Sequence, residues 1–253
     1  MSRIDKTIAD TDRFLAAPQN DTWRACVKLL FQTNSCQSSY IILDRDYSGV
    51  VHPRHPAILT RLAQVFIQGD KLPKLSRKKA GALAAVKFAT EATELDPDNV
   101  ITHRTLAMAW INLEKYVFPE NLFATFRGMR AALERAIQLD ADDATYHFHL
   151  GQCLLKVAKL SWLDFVVGNT LGGIELAPAT YDDALECFEQ VDALNASANR
   201  DNAYFIAETL VHLKRMDQAK AWLAKALNMP ANVSDEKNKE FNDMAWALAK
   251  SFY

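Results

Sequence analysis

Four turns rich in Asp and Asn, each following an Ala-rich helical stretch, constrain this chain more than any other feature. They are ELDPDN (94–99), QLDADD (138–143), ALNASAN (193–199) and ALNMPAN (226–232). A second amphipathic helix is expected beyond each turn. Recurrence at this scale marks a repeat array, in which each unit buries its apolar face against its neighbour. Ala196 and Pro230 are 34 residues apart, Pro97 and Ala141 are 44 apart, and Ala141 and Ala196 are 55 apart. The two longer spacings read as the same unit carrying insertions of 10 and 21 residues. Only 8 Gly and 8 Pro in 253 residues leave too few turn-formers for many short strands. Long helices with short connections remain.

Each unit also places small residues where paired helices touch and large ones beside them. Helices approach closely only across Ala, Gly or Ser, while bulky neighbours fill the grooves. The third unit has Leu150, Gly151 and Leu154, then Ala184, Phe188 and Val191. The fourth has Ile206, Ala207 and Leu210, then Ala219, Leu223 and Ala226. The second has Leu106, Ala107 and Trp110, then Leu133 and Ala136. The first is the weakest, with Leu62, Ala63 and Phe66, then Ala85, Ala89 and Ala92.

Over residues 56–230 this pattern resembles the tetratricopeptide repeat. The expected fold is all-α, a tetratricopeptide-type right-handed helical solenoid with N- and C-terminal helical caps. Residues 1–55 read as N-terminal helices (5–17 and 22–35, the second capped by Asp21 or Thr22) and a loop at 38–56. Residues 56–233 read as repeats with insertions, and 234–253 as a capping helix with Phe241, Met244, Trp246 and Leu248 on its apolar stripe. A terminal cap is needed because the last repeat would otherwise expose its apolar face.

Several chemistries are disfavoured. Apolar residues at 49% and charged residues at 24% describe an ordinary soluble protein, and a net charge of −2 names no partner. Cys26, Cys36, Cys153 and Cys187 form no CxxC pair, and the N-terminus has no apolar core of a secretory signal. Reduced thiols in the cytoplasm are therefore expected. The most apolar window, Leu160 to Leu176, holds Asp164, Asn169 and three glycines, so no transmembrane segment is expected. DRDYSG (44–49) imitates a calcium loop, but its twelfth position is His55 where a bidentate acid is required. His147, His149 and Cys153 could offer two ligands on one helix face, too few for zinc without others nearby. Gly168, Gly172 and Gly173 follow no strand and precede no Lys-Ser/Thr, so they suggest a flexible inserted loop and not a phosphate cradle. No nucleophile, base or paired-carboxylate pattern stands out. No enzyme, metal or cofactor is expected.

Two surfaces invite partners. Lys71, Lys74, Arg77, Lys78, Lys79 and Lys87 fall in a stretch without an acid until Glu91. Such a patch steers acidic partners by long-range, salt-sensitive attraction. Acidic peptide tails, nucleic acid and anionic lipid all have that charge. The second surface is the inner groove of the array. First-helix residues expected there are Thr60, Gln64 and Gln68, then Arg104 and Met108, then Phe148, Gln152 and Lys156, then Tyr204, Glu208 and His212. Mixed polar and aromatic side chains suit a peptide. The Lys/Asn carboxylate clamp of chaperone-tail readers is not matched, since the corresponding positions hold Thr60, Gln64, Thr105, Thr145 and His149.

The stretches LGQCLLKVAKLSWLD (150–164), YDDALECFEQVDALN (181–195) and MDQAKAWLAKALNMP (216–230), with RKKA (77–80), are similar to the regulator of microtubule dynamics proteins. Leu160-Ser161-Trp162-Leu163 is read as extending a first helix beyond repeat length, into an insertion over 161–178. The resemblance covers about residues 56–250 and implies a non-enzymatic, cytoplasmic protein of the cytoskeleton, found at spindle microtubules and spindle poles. Tubulin would be the partner of the basic stretch, with a peptide in the groove and no nucleic acid. Some family members carry an N-terminal membrane anchor, for which this sequence offers no apolar segment. The alternative is a peptide-binding adaptor at an organelle surface without microtubule affinity.

Overall fold

The computed structural model describes residues 55–67, 75–117, 122–172, 175–194, 200–229, 236–250 and Phe252. Every regular element among them is an α-helix. In order these are α1 (Pro56–Ile67), α2 (Leu75–Leu95), α3 (Val100–Glu114), α4 (Leu122–Leu139) and α5 (Ala144–Ala158). There follow α6 (Trp162–Gly172), α7 (Tyr181–Leu194), α8 (Arg200–His212), α9 (Met216–Asn228) and α10 (Glu236–Lys250). The expected helices at 5–17 and 22–35, and residues 38–54 of the expected loop, lie outside the described residues. The chain forms two compact units, Met1–Arg135 and Ala136–Tyr253.

In the first unit α1, α2 and α3 share one core. Ala63, Ala82, Ala85, Ala89, Ala92 and Ala109 are fully excluded from solvent, and Leu59, Leu62, Phe88 and Leu113 surround them. Alanine lets the helices close up, and the larger side chains fill the flanks. Gly128 of α4 serves the same end, since a Cβ there would lie 2.3 Å from the Trp110 ring. The first unit of the array is thus well packed despite its weaker small-large signal.

The first two Asx-rich turns start the helices that follow them. Asn99 precedes α3 in extended conformation and its side chain accepts from the Ile101 amide at 2.9 Å. Asp143 does the same before α5, accepting from the Thr145 amide at 2.9 Å. Each side chain satisfies an amide that the first helical turn leaves without a partner. A second device repeats with them. His103 Nε2 lies 2.8 Å from the Pro97 carbonyl and His147 Nε2 lies 3.0 Å from that of Ala141. A carbonyl only accepts, so each Nε2 carries the proton. His147 is therefore a lock on its own turn, with one ring nitrogen occupied.

In the second unit α5 pairs with α7, α8 with α9, and α10 closes the end. Gly151 meets Phe188, and Phe188, Ile206, Ala207, Ala219 and Ala226 are fully buried. Cys153 is buried as well, a small apolar filler in the α5 core. Buried Arg200 reaches from the start of α8 to the carbonyls of Ala226, at 3.1 Å, and Met229. These are orphan acceptors at the C-terminal end of α9, and a guanidinium there also opposes the negative pole of the helix. Against the exposed end of α8 and α9 lies α10. Its Ala245 is fully buried and Phe241, Met244 and Leu248 pack around Tyr204, Ala207 and Leu223. The C-terminal cap is present in this form.

The insertion differs from expectation. Leu160–Leu163 does not extend α5, which ends at Ala158, and the glycine-containing stretch is not a loop but α6. Ser161 explains both points. Its hydroxyl accepts from the Asp164 amide at 3.1 Å and donates to the Asp164 carboxylate at 2.6 Å, starting a new helix where the old one stops. Asn169 then holds the return segment, donating to the Leu176 carbonyl at 3.3 Å and accepting from its amide at 3.0 Å. Leu176 is buried at 2 % exposure. Thr180 and Asp183 form a second reciprocal cap before α7, at 2.8 and 3.1 Å.

Candidate functional site

The helices α1, α3, α5 and α8 begin at Pro56, Val100, Ala144 and Arg200. The expected groove residues stand four, eight and twelve places after these starts, so each set runs along one face of its helix.

In the first unit Thr60 is buried, and its hydroxyl donates to the Pro56 carbonyl at 2.8 Å. It is a packing residue, unavailable to a ligand. Gln64 accepts from Arg61 at 3.0 Å and donates to Thr105 Oγ1 at 3.4 Å, which ties α1 to α3. Arg104 is exposed and Met108 half-buried. Gln68 lies outside the described residues.

The second unit brings more together. Phe148 of α5 lies edge-on to Phe205 of α8 at 5.6 Å and to Phe188 at 6.1 Å, and Phe188 and Phe205 stack at 5.4 Å. Phe205 also meets Phe241 of α10 at 5.7 Å. These aromatic contacts tie α5, α7, α8 and α10 together and fix their spacing. Gln152 Oε1 lies 3.1 Å from His149 Nδ1, and Lys156 is exposed. On α8, Glu208 takes the Lys159 ammonium at 2.8 Å and is itself only 20 % exposed. The Tyr204 hydroxyl is pushed up to about 12, first by burial and then by the nearby Glu208 carboxylate. His212 stacks on Tyr181 at 4.7 Å with planes 1° apart. Its pKa is lowered by burial, then by the Lys159 charge, with Glu208 opposing.

Tyr204 needs correction as a groove residue. It is 5 % exposed, because α10 lies over it and Phe241 approaches at 6.1 Å. Phe205, Lys159 and Tyr181 were missed. Phe205 had a signal, since it stands in the same register as Thr105 and His149. Lys159 and Tyr181 had none, because their partners Glu208 and His212 lie 49 and 31 residues away.

Of the basic stretch, Lys71 and Lys74 lie outside the described residues. Arg77 belongs to the first turn of α2, Lys78 and Lys79 are half-buried and Lys87 is exposed. Lys79, Leu83 and Lys87 recur every four residues and so form one row, with Leu83 49 % exposed. Among the described residues no group of three His, Cys, Asp or Glu could hold a metal, and no helix is long and apolar enough to cross a membrane.

The fold is shared with solved repeat proteins. A MamA structure aligns over 88% of this chain and 91% of its own, at 13% identity and a TM-score of 0.54. A thermophilic tetratricopeptide-repeat protein of Thermus thermophilus aligns over 96% of this chain and 98% of its own, at 15% identity and a TM-score of 0.53. The chain is an all-α helical repeat protein of the tetratricopeptide type. Among curated proteins it is 26% identical over 196 residues to Regulator of microtubule dynamics protein 3 of Bos taurus, covering 77% of this chain and 41% of the relative. It is 24% identical over 197 residues to Regulator of microtubule dynamics protein 1 of Pongo abelii, covering 77% and 62%. The chain thus spans between about two fifths and three fifths of these relatives' length. The profile of the Regulator of microtubule dynamics protein 1-3 family matches residues 25–250, and the chain belongs to that family.

Proposed function

We propose that this protein is a non-enzymatic scaffold that acts at microtubules in the cytoplasm, including those of the spindle and its poles. Family membership over residues 25–250 is the observation that carries this reading. The cations of residues 71–87 supply a physical route, since a run of positive charge without an acid attracts the acidic tails that microtubules present. Within the second unit, Phe148, Phe205 and Gln152 beside the Lys159–Glu208 pair support a peptide partner. Aromatic side chains there give contact area at low entropic cost, while the ion pair and amide select for polar groups.

Microtubule co-sedimentation across a salt series tests the first part. The wild type should pellet with microtubules at low salt and lose binding as salt rises. A variant with Lys74, Arg77, Lys78 and Lys79 changed to Glu should bind at least tenfold more weakly. Absence of wild-type binding at low salt would sink direct microtubule recognition. The surviving reading would be a peptide adaptor at an organelle surface, which the Phe148–Phe205 contact favours on its own account. That adaptor would show little salt dependence and would lose its peptide on Phe205→Ala.

A further inference from the structure

The last helix, α10, buries only one of its faces. Ala245 is inaccessible, and Phe241, Met244, Leu248 and Ala249 pack against Tyr204 and Leu223. The opposite face carries Asp243, Trp246, Ala247 and Lys250, all exposed. These four are spaced as i, i+3, i+4 and i+7, so they line a single strip of the helix surface. Trp246 is 54 % exposed, the second most exposed large apolar side chain described after Leu163 at 62 %. Among the described residues neither Asp243 nor Lys250 has an ion-pair partner.

The order of these residues is self-complementary. Lay a second α10 antiparallel on the first, with the two-fold axis between Trp246 and Ala247. Asp243 then faces the second copy's Lys250, and Lys250 faces its Asp243. Trp246 faces the second copy's Ala247, whose small side chain leaves room for the indole, and the reverse contact forms by symmetry. An isologous interface requires this kind of reciprocity. A parallel arrangement would instead set Asp243 against Asp243 and Lys250 against Lys250.

We propose that the outer face of α10 is a self-association surface, and that the protein forms an antiparallel two-fold dimer through Asp243, Trp246, Ala247 and Lys250. The indole supplies the apolar burial and the two charge pairs set the direction. One helix from each copy buries less than the roughly 1,200 Å² of a stable interface. The dimer is therefore weak, with a dissociation constant on the order of 100 µM.

The test is sedimentation equilibrium of the full chain from about 5 to 500 µM, a range that brackets that affinity. The wild type should shift from monomer to dimer across this range, and Trp246→Ser should weaken the dimer at least tenfold. Asp243→Lys makes the strip all basic and Lys250→Asp makes it all acidic. Each alone should stay monomeric, while a 1:1 mixture should form a heterodimer, because every facing pair is then opposite in charge. All substituted positions are exposed, so helicity and thermal melting serve as the folding control. A wild type that remains monomeric throughout would overturn the proposal. So would a dimer unaffected by Trp246→Ser, or one in which the mixed charge variants fail to pair.

Discussion

Gly151 of α5 lies directly under the ring of Phe188 of α7: a Cβ at residue 151 would stand 2.7 Å from the nearest ring carbon. Phe188 is fully buried, and its ring also meets Phe148 and Phe205. It has no free direction in which to yield. Gly151→Ala is therefore expected to lower stability by about 1–3 kcal/mol through overpacking. Urea unfolding followed by circular dichroism measures it, and an unchanged midpoint would show that the ring can move.

Lys214 sits at φ 60, a left-handed conformation that costs a side chain about 1 kcal/mol. It ends α8 in a Schellman turn, in which the Arg215 amide bonds the Leu210 carbonyl at 2.9 Å and the Lys214 amide bonds that of Val211 at 3.0 Å. Lys214→Gly keeps both bonds and removes the steric cost. A gain of about 0.5–1 kcal/mol in urea unfolding is expected, with the far-ultraviolet spectrum unchanged. A loss of stability would mean that the lysine side chain contributes more than its backbone costs.

Tyr204 should ionise well above the ordinary range of a phenol. An unperturbed phenol titrates near about 10, and in the folded protein Tyr204 is pushed up to about 12 by burial and by Glu208. The folded state thus holds this proton more tightly than the unfolded state does. The contribution to stability is full below about pH 10 and is lost as pH rises through the folded value. Absorbance of tyrosinate at alkaline pH should show a late step that coincides with loss of helicity, and Tyr204→Phe should remove that step. A late step surviving in Tyr204→Phe would assign it to another residue.

His212 acts at the other end of the scale. Burial and the nearby Lys159 ammonium lower its pKa, so the folded protein favours the neutral ring. Its contribution is present above the unfolded value of about 6.5 and is lost as pH falls through the folded value. Urea melts between pH 7.5 and pH 5 should show a decline that His212→Gln makes shallower. Nuclear magnetic resonance titration of the imidazoles would locate the ring directly. A His212 signal titrating above the ordinary range would reverse the sign of this prediction.

Much of the architecture is legible along the chain because it rests on local rules. Asn99 and Asp143 cap the helices they precede, and Ala63, Gly151 and Ala219 stand where helices touch. These features follow from backbone amides that need acceptors and from the bulk of a side chain at a close crossing. The insertion departs from the expected loop although its cue is also local. Ser161-x-x-Asp164 is a helix start, but Gly168 and Gly172 point the other way.

Burial is not legible in the same way. Tyr204 and Phe205 are adjacent aromatics, and nothing in their spacing says which one α10 covers. Thr60 looks like a polar groove residue until its hydroxyl is seen bonded to the Pro56 carbonyl. The sequence by itself determined the all-helical repeat, the helix starts and the small residues at the helix crossings. Only the tertiary structure decided that Tyr204 is core, that Lys159 meets Glu208 and that His212 stacks on Tyr181. The reason is physical: a periodicity is read within one helix, whereas burial and pairing depend on the residues that a distant helix brings alongside.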